Sequence, residues 1–196
     1  MKKAFSIFII LLVIIIAVFL LCYFQGAEKH SEKENLLPGP EEQEIFLTKD
    51  DFTVLLPEGW KETTGTQGVS AMVVHIDEEI TDPAAKKINF RSYYSVSYDV
   101  LQGRTLENYA EYIKESLRQL LVNVNFVKEG AVEMNGRDTY TIEMEIAQQG
   151  VDFKVLMFLI KGGGDDIWLI SFNTAQGYWS EYQNLFQEIA ASFEIK

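Results

Sequence analysis

Apolar positions along the chain fall into three regimes. From Ala4 to Phe24 the sequence reads AFSIFIILLVIIIAVFLLCYF, about 21 residues in which Ser6 is the clearly polar member. Such a run predicts a transmembrane helix: at ~1.5 Å per residue it is about 31 Å long, enough to cross a hydrocarbon core of roughly 30 Å. From Ala27 to Glu44, AEKHSEKENLLPGPEEQE is charged, carries Pro38-Gly39-Pro40 and has too few apolar residues to bury a face, so it reads as a flexible tether. From Ile45 onward, short alternating segments separated by turn residues predict strands.

Phe52 to Pro57 reads as a strand halted by a proline that cannot donate to a ladder, with Glu58-Gly59 turning the chain and Trp60 anchoring the corner. Val69 to Ile76 and Phe90 to Val100 are the next strands. In the second, Tyr94, Val96, Tyr98 and Val100 fall on a core face, and Tyr93, Ser95, Ser97 and Asp99 on a half-wet one. The period then changes: Leu106, Tyr109, Ala110, Ile113, Leu117, Leu120 and Leu121 form one stripe at helical spacing, with Thr105 placed to cap the start. Phe126 to Glu133 and Thr139 to Ile146 flank Asn135-Gly136, a hairpin signature. Val151 to Ile160 and Ile167 to Phe172 become apolar on both faces, which predicts two covered, neighbouring central strands joined through Gly162-Gly163-Gly164-Asp165-Asp166. A last stripe, Trp179, Tyr182, Phe186, Ile189 and Phe193, predicts a C-terminal helix packed on the sheet. Hairpin strands with helices between and after them predict an α+β fold with a mainly antiparallel sheet covered by helices on both faces, an α/β/α sandwich preceded by one transmembrane helix. The chain divides into a membrane anchor over 1–26, a tether over 27–44 and an α+β domain over 45–196.

Charge gives the anchor a direction and narrows the partners. Lys2 and Lys3 precede the apolar run, so the positive-inside tendency keeps the N-terminus in the cytoplasm and exports the remainder of the chain, as a single-pass protein of a bacterial cell membrane. A cleavable signal has a shorter apolar region and small residues before the cut, whereas this run ends LLCYFQGA; lipidation of Cys22 is disfavoured by Leu20 and Leu21 before it. Either outcome still exports the domain. Of 17 Lys+Arg and 29 Asp+Glu, 15 and 29 lie beyond Lys3, a formal charge of -14. That sign repels phosphate backbones and excludes nucleic acid as the expected partner. The single cysteine, Cys22, lies in the apolar run, which rules out an intramolecular disulfide and a thiolate metal cage.

The chemistry-bearing residues are few. His30 sits in the tether beside Glu28, Glu32 and Glu34, where ligands are not preorganised, and is assigned no role. His75, in VVHIDEE, is the domain's histidine and is read as a half-exposed strand residue in preference to a general base. His75, Asp77, Glu78, Glu79 and Asp82 are the dense potential ligand cluster, but the spacing fits no calcium loop and is read as a solvated acidic turn before Pro83. Asp165-Asp166 after three glycines lacks the Lys-Ser/Thr of a phosphate loop and leads into a strand, so it is a hairpin loop. Trp60, Trp168 and Trp179 are read as core in preference to a ligand groove. No catalytic residue, cofactor or metal is expected, and the domain is read as non-enzymatic.

The order of landmarks resembles the PsbP-like family. Phe52 to Trp60, FTVLLPEGW, is similar to its opening strand ending in Pro-x-x-Trp, and Thr105 to Tyr112, TLENYAEY, to the start of its first helix. Gly136 to Glu143, GRDTYTIE, is similar to its middle hairpin; Trp168 to Thr174, Trp179 and Ser192-Phe193 resemble its closing strand, helix and terminal segment. The resemblance covers residues 45–196. It implies an α/β/α sandwich that is not an enzyme and that docks to a membrane complex or assists its assembly, so the expected partner is a protein or a membrane complex. The alternative, a small-ligand or divalent-cation binding domain tethered to or secreted across the membrane, stays open at this point.

Overall fold

A computed structural model describes residues 44–65 and 68–196; the apolar run, the tether, Cys22 and His30 lie outside the described residues. Within the described residues, ten strands and three α-helices succeed one another in the order β1 (Phe46–Thr48), β2 (Phe52–Leu55), β3 (Trp60–Thr63), β4 (Ala71–His75), α1 (Pro83–Lys87), β5 (Tyr93–Val100), α2 (Leu106–Leu120), β6 (Val124–Met134), β7 (Arg137–Gln148), β8 (Val151–Lys161), β9 (Asp166–Ala175), α3 (Trp179–Ala191) and β10 (Glu194–Ile195). The fold is α+β. Seven strands form one antiparallel sheet in the order β3-β4-β5-β9-β8-β7-β6, and β1-β2-β10 form a second, three-stranded one. Among the described residues, no helix is long and apolar enough to cross a membrane.

Strand alternation builds a core on each face. On one face, Leu106, Tyr109, Ile113 and Leu117 of α2 pack on Ile142, Met144, Met157, Leu159 and Leu169, while α1 covers the β4-β5 end with Ala85 against Met72, Val74 and Tyr93. On the other, Tyr182, Phe186 and Ile189 of α3 pack with Phe52 and Val54 of the small sheet on Tyr94, Phe158, Trp168 and Phe172. β8 and β9 are neighbours in mid-sheet and buried on both faces, as their two-sided apolar sequences require. Thr105 accepts the Asn108 amide at 3.2 Å and caps α2, and the Glu111–Lys114 pair of that helix forms at 2.7 Å. At the β6-β7 turn, Asn135 and Gly136 have φ of 52° and 70°, the left-handed pair that a two-residue hairpin needs.

Three readings of the pattern are corrected. The half-wet face of β5 is buried: Asp99 is 4% exposed and accepts from the Tyr109 hydroxyl at 2.7 Å, so α2 covers a carboxylate whose hydrogen bond is made internally. Tyr98, placed in the core by alternation, is instead 43% exposed, because β5 extends past the end of its β4 partner there. Trp60 does not merely turn a corner; it begins β3, the short edge strand. The other edge, β6, has 11 residues of which none is buried, and it carries a register shift between Phe126 and Lys128 together with Lys128, Glu129 and Glu133. A bulge and charges on an edge guard it against adventitious strand pairing.

Candidate functional site

The histidine that the sequence singles out lies where β3, β4 and the N-terminal half of α3 meet. Pro57, Glu58 and Gly59 reverse the chain from β2 into β3; Gly59 takes φ +74°, and a Cβ there would stand 3.1 Å from His75 Nε2 and 3.4 Å from Asp77 Oδ2. The Ile76 amide donates to the Gly59 carbonyl at 2.9 Å, and Trp60 pairs with His75 in the β3-β4 register. That register lays the imidazole on the indole of Trp60, with ring centres 5.2 Å apart and planes within 8°. The third wall is Tyr182 of α3, edge-on at 5.9 Å, whose hydroxyl is 2.7 Å from His75 Nδ1.

Behind this pair runs a buried polar chain. Glu78 is 7% exposed; its carboxylate accepts the Ser92 amide at 2.5 Å and meets the Ser92 hydroxyl at 2.6 Å, and Ser92 Oγ lies 2.8 Å from Thr174 Oγ1 of β9. Arg91 Nη1 donates to the Glu78 carbonyl at 2.5 Å. Burial, and after it the charge and hydrogen bonding of Glu78, push the Tyr182 phenol far above its ordinary value. His75 titrates below its usual 6.5 because burial outweighs the opposing pull of Glu78 and Asp77, with Arg91 adding to the depression.

The acidic cluster therefore does not stay together. Glu78 leaves the solvated turn that the sequence suggests and is buried, because Ser92 supplies two donors to its carboxylate. Asp82 caps α1, accepting the Ala85 amide at 2.7 Å with Pro83 in the first turn, while Asp77 and Glu79 remain exposed. Among the described residues no group of three or more His, Cys, Asp or Glu is placed to hold a metal ion. In the glycine loop, Asp165 behaves as the captured anion itself: its carboxylate accepts the Gln102 amide at 2.9 Å and the Gly103 amide at 3.0 Å, two consecutive residues with positive φ that aim their N–H groups at it. Trp60 and Trp168 are buried core residues and Trp179 packs half-buried against the same cluster.

The burial of two lysines escapes the sequence reading, which pairs Lys114 with Glu111 only as a weak helix-surface contact. Lys154 is buried on β8 between Glu143 at 2.8 Å and Glu145 at 3.0 Å, and Lys114 is buried on α2 between Glu111 and Glu129 at 2.7 and 2.6 Å. Burial alone would lower both ammonium groups, yet the paired carboxylates raise them. The signal available in sequence is faint: a lysine amid the two-sided apolar run of β8, with two glutamates on the neighbouring strand. A surface cavity of about 630 Å³ opens beside the start of α2, walled by Arg104, Glu107, Val132, Glu133 and Lys161 and floored by Leu101 and Leu106. His75 does not line it.

The His75 ring is fixed in place from two sides. A general base needs a free nitrogen lone pair aimed at substrate. Here Nδ1 is engaged by Tyr182 and one ring face is covered by Trp60.

No protein-family model and no curated protein sequence matches the chain. Solved structures do. The solution structure of cyanobacterial PsbP, CyanoP of Synechocystis sp. PCC 6803, aligns with a TM-score of 0.56 at 18% identity, covering 79% of this chain and 92% of that one. LpqN of Mycobacterium tuberculosis, described as involved in cell envelope biogenesis, aligns at 0.56 and 11% identity over 79% and 91%. PA94 of Pseudomonas aeruginosa, a protein of unknown function, aligns at 0.53 and 12% over 76% and 94%. At such identities the likeness is one of fold, and it agrees with the order of landmarks in the sequence: the described domain has the PsbP-like fold.

Proposed function

We propose that the chain is a membrane-anchored, extracytoplasmic, non-enzymatic interaction or assembly module, with 1–26 as a signal-anchor, 27–44 as tether and 45–196 as the folded body. The observation that carries the non-enzymatic part is the fate of His75, whose Nδ1 bonds Tyr182 while its ring lies on Trp60. Likeness in fold to an envelope-biogenesis protein and to cyanobacterial PsbP supports a role in assembling or attending a protein complex. The uninterrupted apolar run after Lys2 and Lys3 supports the anchor and its direction. Crosslinking in intact cells, with identification of adducts, tests the partner: a reproducible protein adduct is expected, and its consistent lack in expressing cells refutes the reading. External protease on spheroplasts tests the topology. The body is expected to be cleaved without lysis.

The cavity of about 630 Å³ favours a second reading, a small-ligand site on the same tethered body. Its walls are mixed in charge, with Arg104 and Lys161 facing Glu107 and Glu133. A ligand there raises the unfolding midpoint of the wild type and not that of an Arg104→Ala, Lys161→Ala variant.

A further inference from the structure

Two further cavities, of about 430 and 350 Å³, meet at one end of the large sheet, where β6 begins, β7 turns into β8 and β9 ends. Asp152 and Gln176 line both, so the two form one groove, and each volume lies within the range of small-molecule sites, roughly 300–1,000 Å³. Asn123 and Asn125 stand at one end of it, Asp82 and Tyr178 at the other. Much of its polar lining is uncommitted. The side chains of Asn123 and Asp152 make no hydrogen bond or ion pair among the described residues. Asn125 gives its Nδ2 to Glu145 at 3.2 Å and keeps its carbonyl oxygen as an acceptor; Asp82 caps α1 with Oδ1 and keeps Oδ2. No lysine or arginine lines either cavity, and Lys154 on β8 is held by Glu143 and Glu145. Tyr178 supplies a fixed aromatic wall, its hydroxyl bonding the Thr81 amide and, at 2.6 Å, the Thr81 hydroxyl. Beside it, a Cβ at Gly150 or Gly177 would meet nothing within 4 Å, so the backbone there is open to close approach.

We propose that this groove binds a neutral oligosaccharide. Neighbouring hydroxyls of a pyranose ring both donate and accept, and planar carboxamides and carboxylates meet them in pairs: Asp152 accepts from two, while Asn123 and Gln176 each donate and accept. The apolar C–H face of such a ring packs on a flat aromatic side chain, which Tyr178 offers with its orientation already set by Thr81. Charge selects against the other polar ligands. Without a lysine or arginine in the lining, Asp82 and Asp152 repel phosphates and carboxylates. For a metal ion the donor set falls short, since no group of three ligating side chains assembles among the described residues. Two linked rings, one in each lobe and joined over Asp152 and Gln176, match the division of the groove. The site is separate from the cavity beside α2, whose walls include Arg104 and Lys161. It belongs to the folded body and stands whether or not the chain is anchored or meets a protein partner.

Full-length ¹⁵N-labelled protein in dodecylphosphocholine micelles, a detergent without sugar, tests it by NMR titration with maltotriose, chitotriose and mannotriose to about 50 mM. At least one of these is expected to shift the side-chain amides of Asn123, Asn125 and Gln176 and the backbone amides of Gly150 and Gly177 along one saturating curve. Asn123→Ala combined with Asp152→Ala, both exposed side chains outside the core, should weaken that binding roughly tenfold or more and leave the rest of the amide spectrum as in the wild type. If that pair does not fold, Gln176→Ala must show the same loss. Trigalacturonate, which adds a carboxylate to each ring, and spermidine, a cation without hydroxyls, are expected to leave these signals unmoved. Silence of all the neutral sugars, shifts confined to another surface, a response to trigalacturonate or spermidine in their place, or wild-type affinity in the variant overturns the proposal.

Discussion

Phe186 decides whether the C-terminal aromatic stripe is core or a binding groove. The ring is fully buried, stacked on Phe172 at 4.9 Å and Tyr182 at 5.4 Å, with Trp60 and Trp179 at 6.4 and 6.2 Å. Cutting it to alanine removes its burial and leaves a cavity between α3 and β9 that flat rings cannot collapse to fill. Phe→Ala changes of this kind cost about 3–5 kcal/mol, a large share of the roughly 5–15 kcal/mol that holds a domain together. For a body of this size that is a fall in midpoint of roughly 6–20 °C. Thermal and urea unfolding of the full chain in mild detergent, followed by circular dichroism and by tryptophan emission, measures it. Phe186→Leu, which keeps most of the volume, is expected to lose about 1.5 kcal/mol or less. A loss below about 1 kcal/mol for Phe186→Ala would mean the ring's neighbours do not depend on it. The face beneath α3 would then have to be read as an open groove.

Three further perturbations test the polar attachments. Asp165→Ala removes the acceptor of the Gln102 and Gly103 amides and should cost about 1–2 kcal/mol in urea unfolding, with faster hydrogen exchange at those two amides; unchanged exchange would refute the capture of that loop. Gly59→Ala places a Cβ at positive φ and 3.1 Å from His75 Nε2, so a loss of about 1–3 kcal/mol and a displaced His75 ring signal are expected; a neutral change would mean the turn relaxes freely. Because the folded state holds His75 below its ordinary 6.5, the unfolded chain binds more protons between the two values. Stability from this residue is therefore complete above the unfolded value and falls as pH drops through 6.5 toward the folded one. Urea unfolding of wild type against His75→Gln across that window isolates the effect, and a difference that grows with rising acidity in favour of the wild type would contradict it.

How legible these features are in the sequence depends on how many residues share a period. α2 and α3 each run more than three turns, so their stripes announce both the helix and the buried face. β8 and β9 announce mid-sheet positions because they are apolar on both faces. β1, β3, β10 and α1 span two to five residues, too few for any period, and exist through pairing and capping partners supplied from elsewhere. β5 shows a different failure: alternation locates its two faces correctly, but polarity is a poor guide to exposure when Tyr109 and Asp99 satisfy each other in the interior. The candidate site is hidden for the same reason. Nothing near His75 in sequence indicates Tyr182, 107 residues away, and nothing in an acidic run tells the buried Glu78 from its exposed neighbours until Ser92 is seen to hold it.

Those distant partners also determine what kind of surface the body can offer. α3 is tied at its beginning by Tyr182 to His75, and by Tyr178 just before the helix to Thr81. It is tied at its end by Asn135 Nδ2 donating to the Ala191 carbonyl at 2.7 Å and by Ser192 Oγ accepting the Leu55 amide at 2.8 Å. Lifting the helix would break polar bonds at both ends and strip an aromatic core, a combined cost comparable to unfolding. α3 therefore cannot serve as a hinged element that opens to a partner. A body tied in this way presents a fixed face along α3.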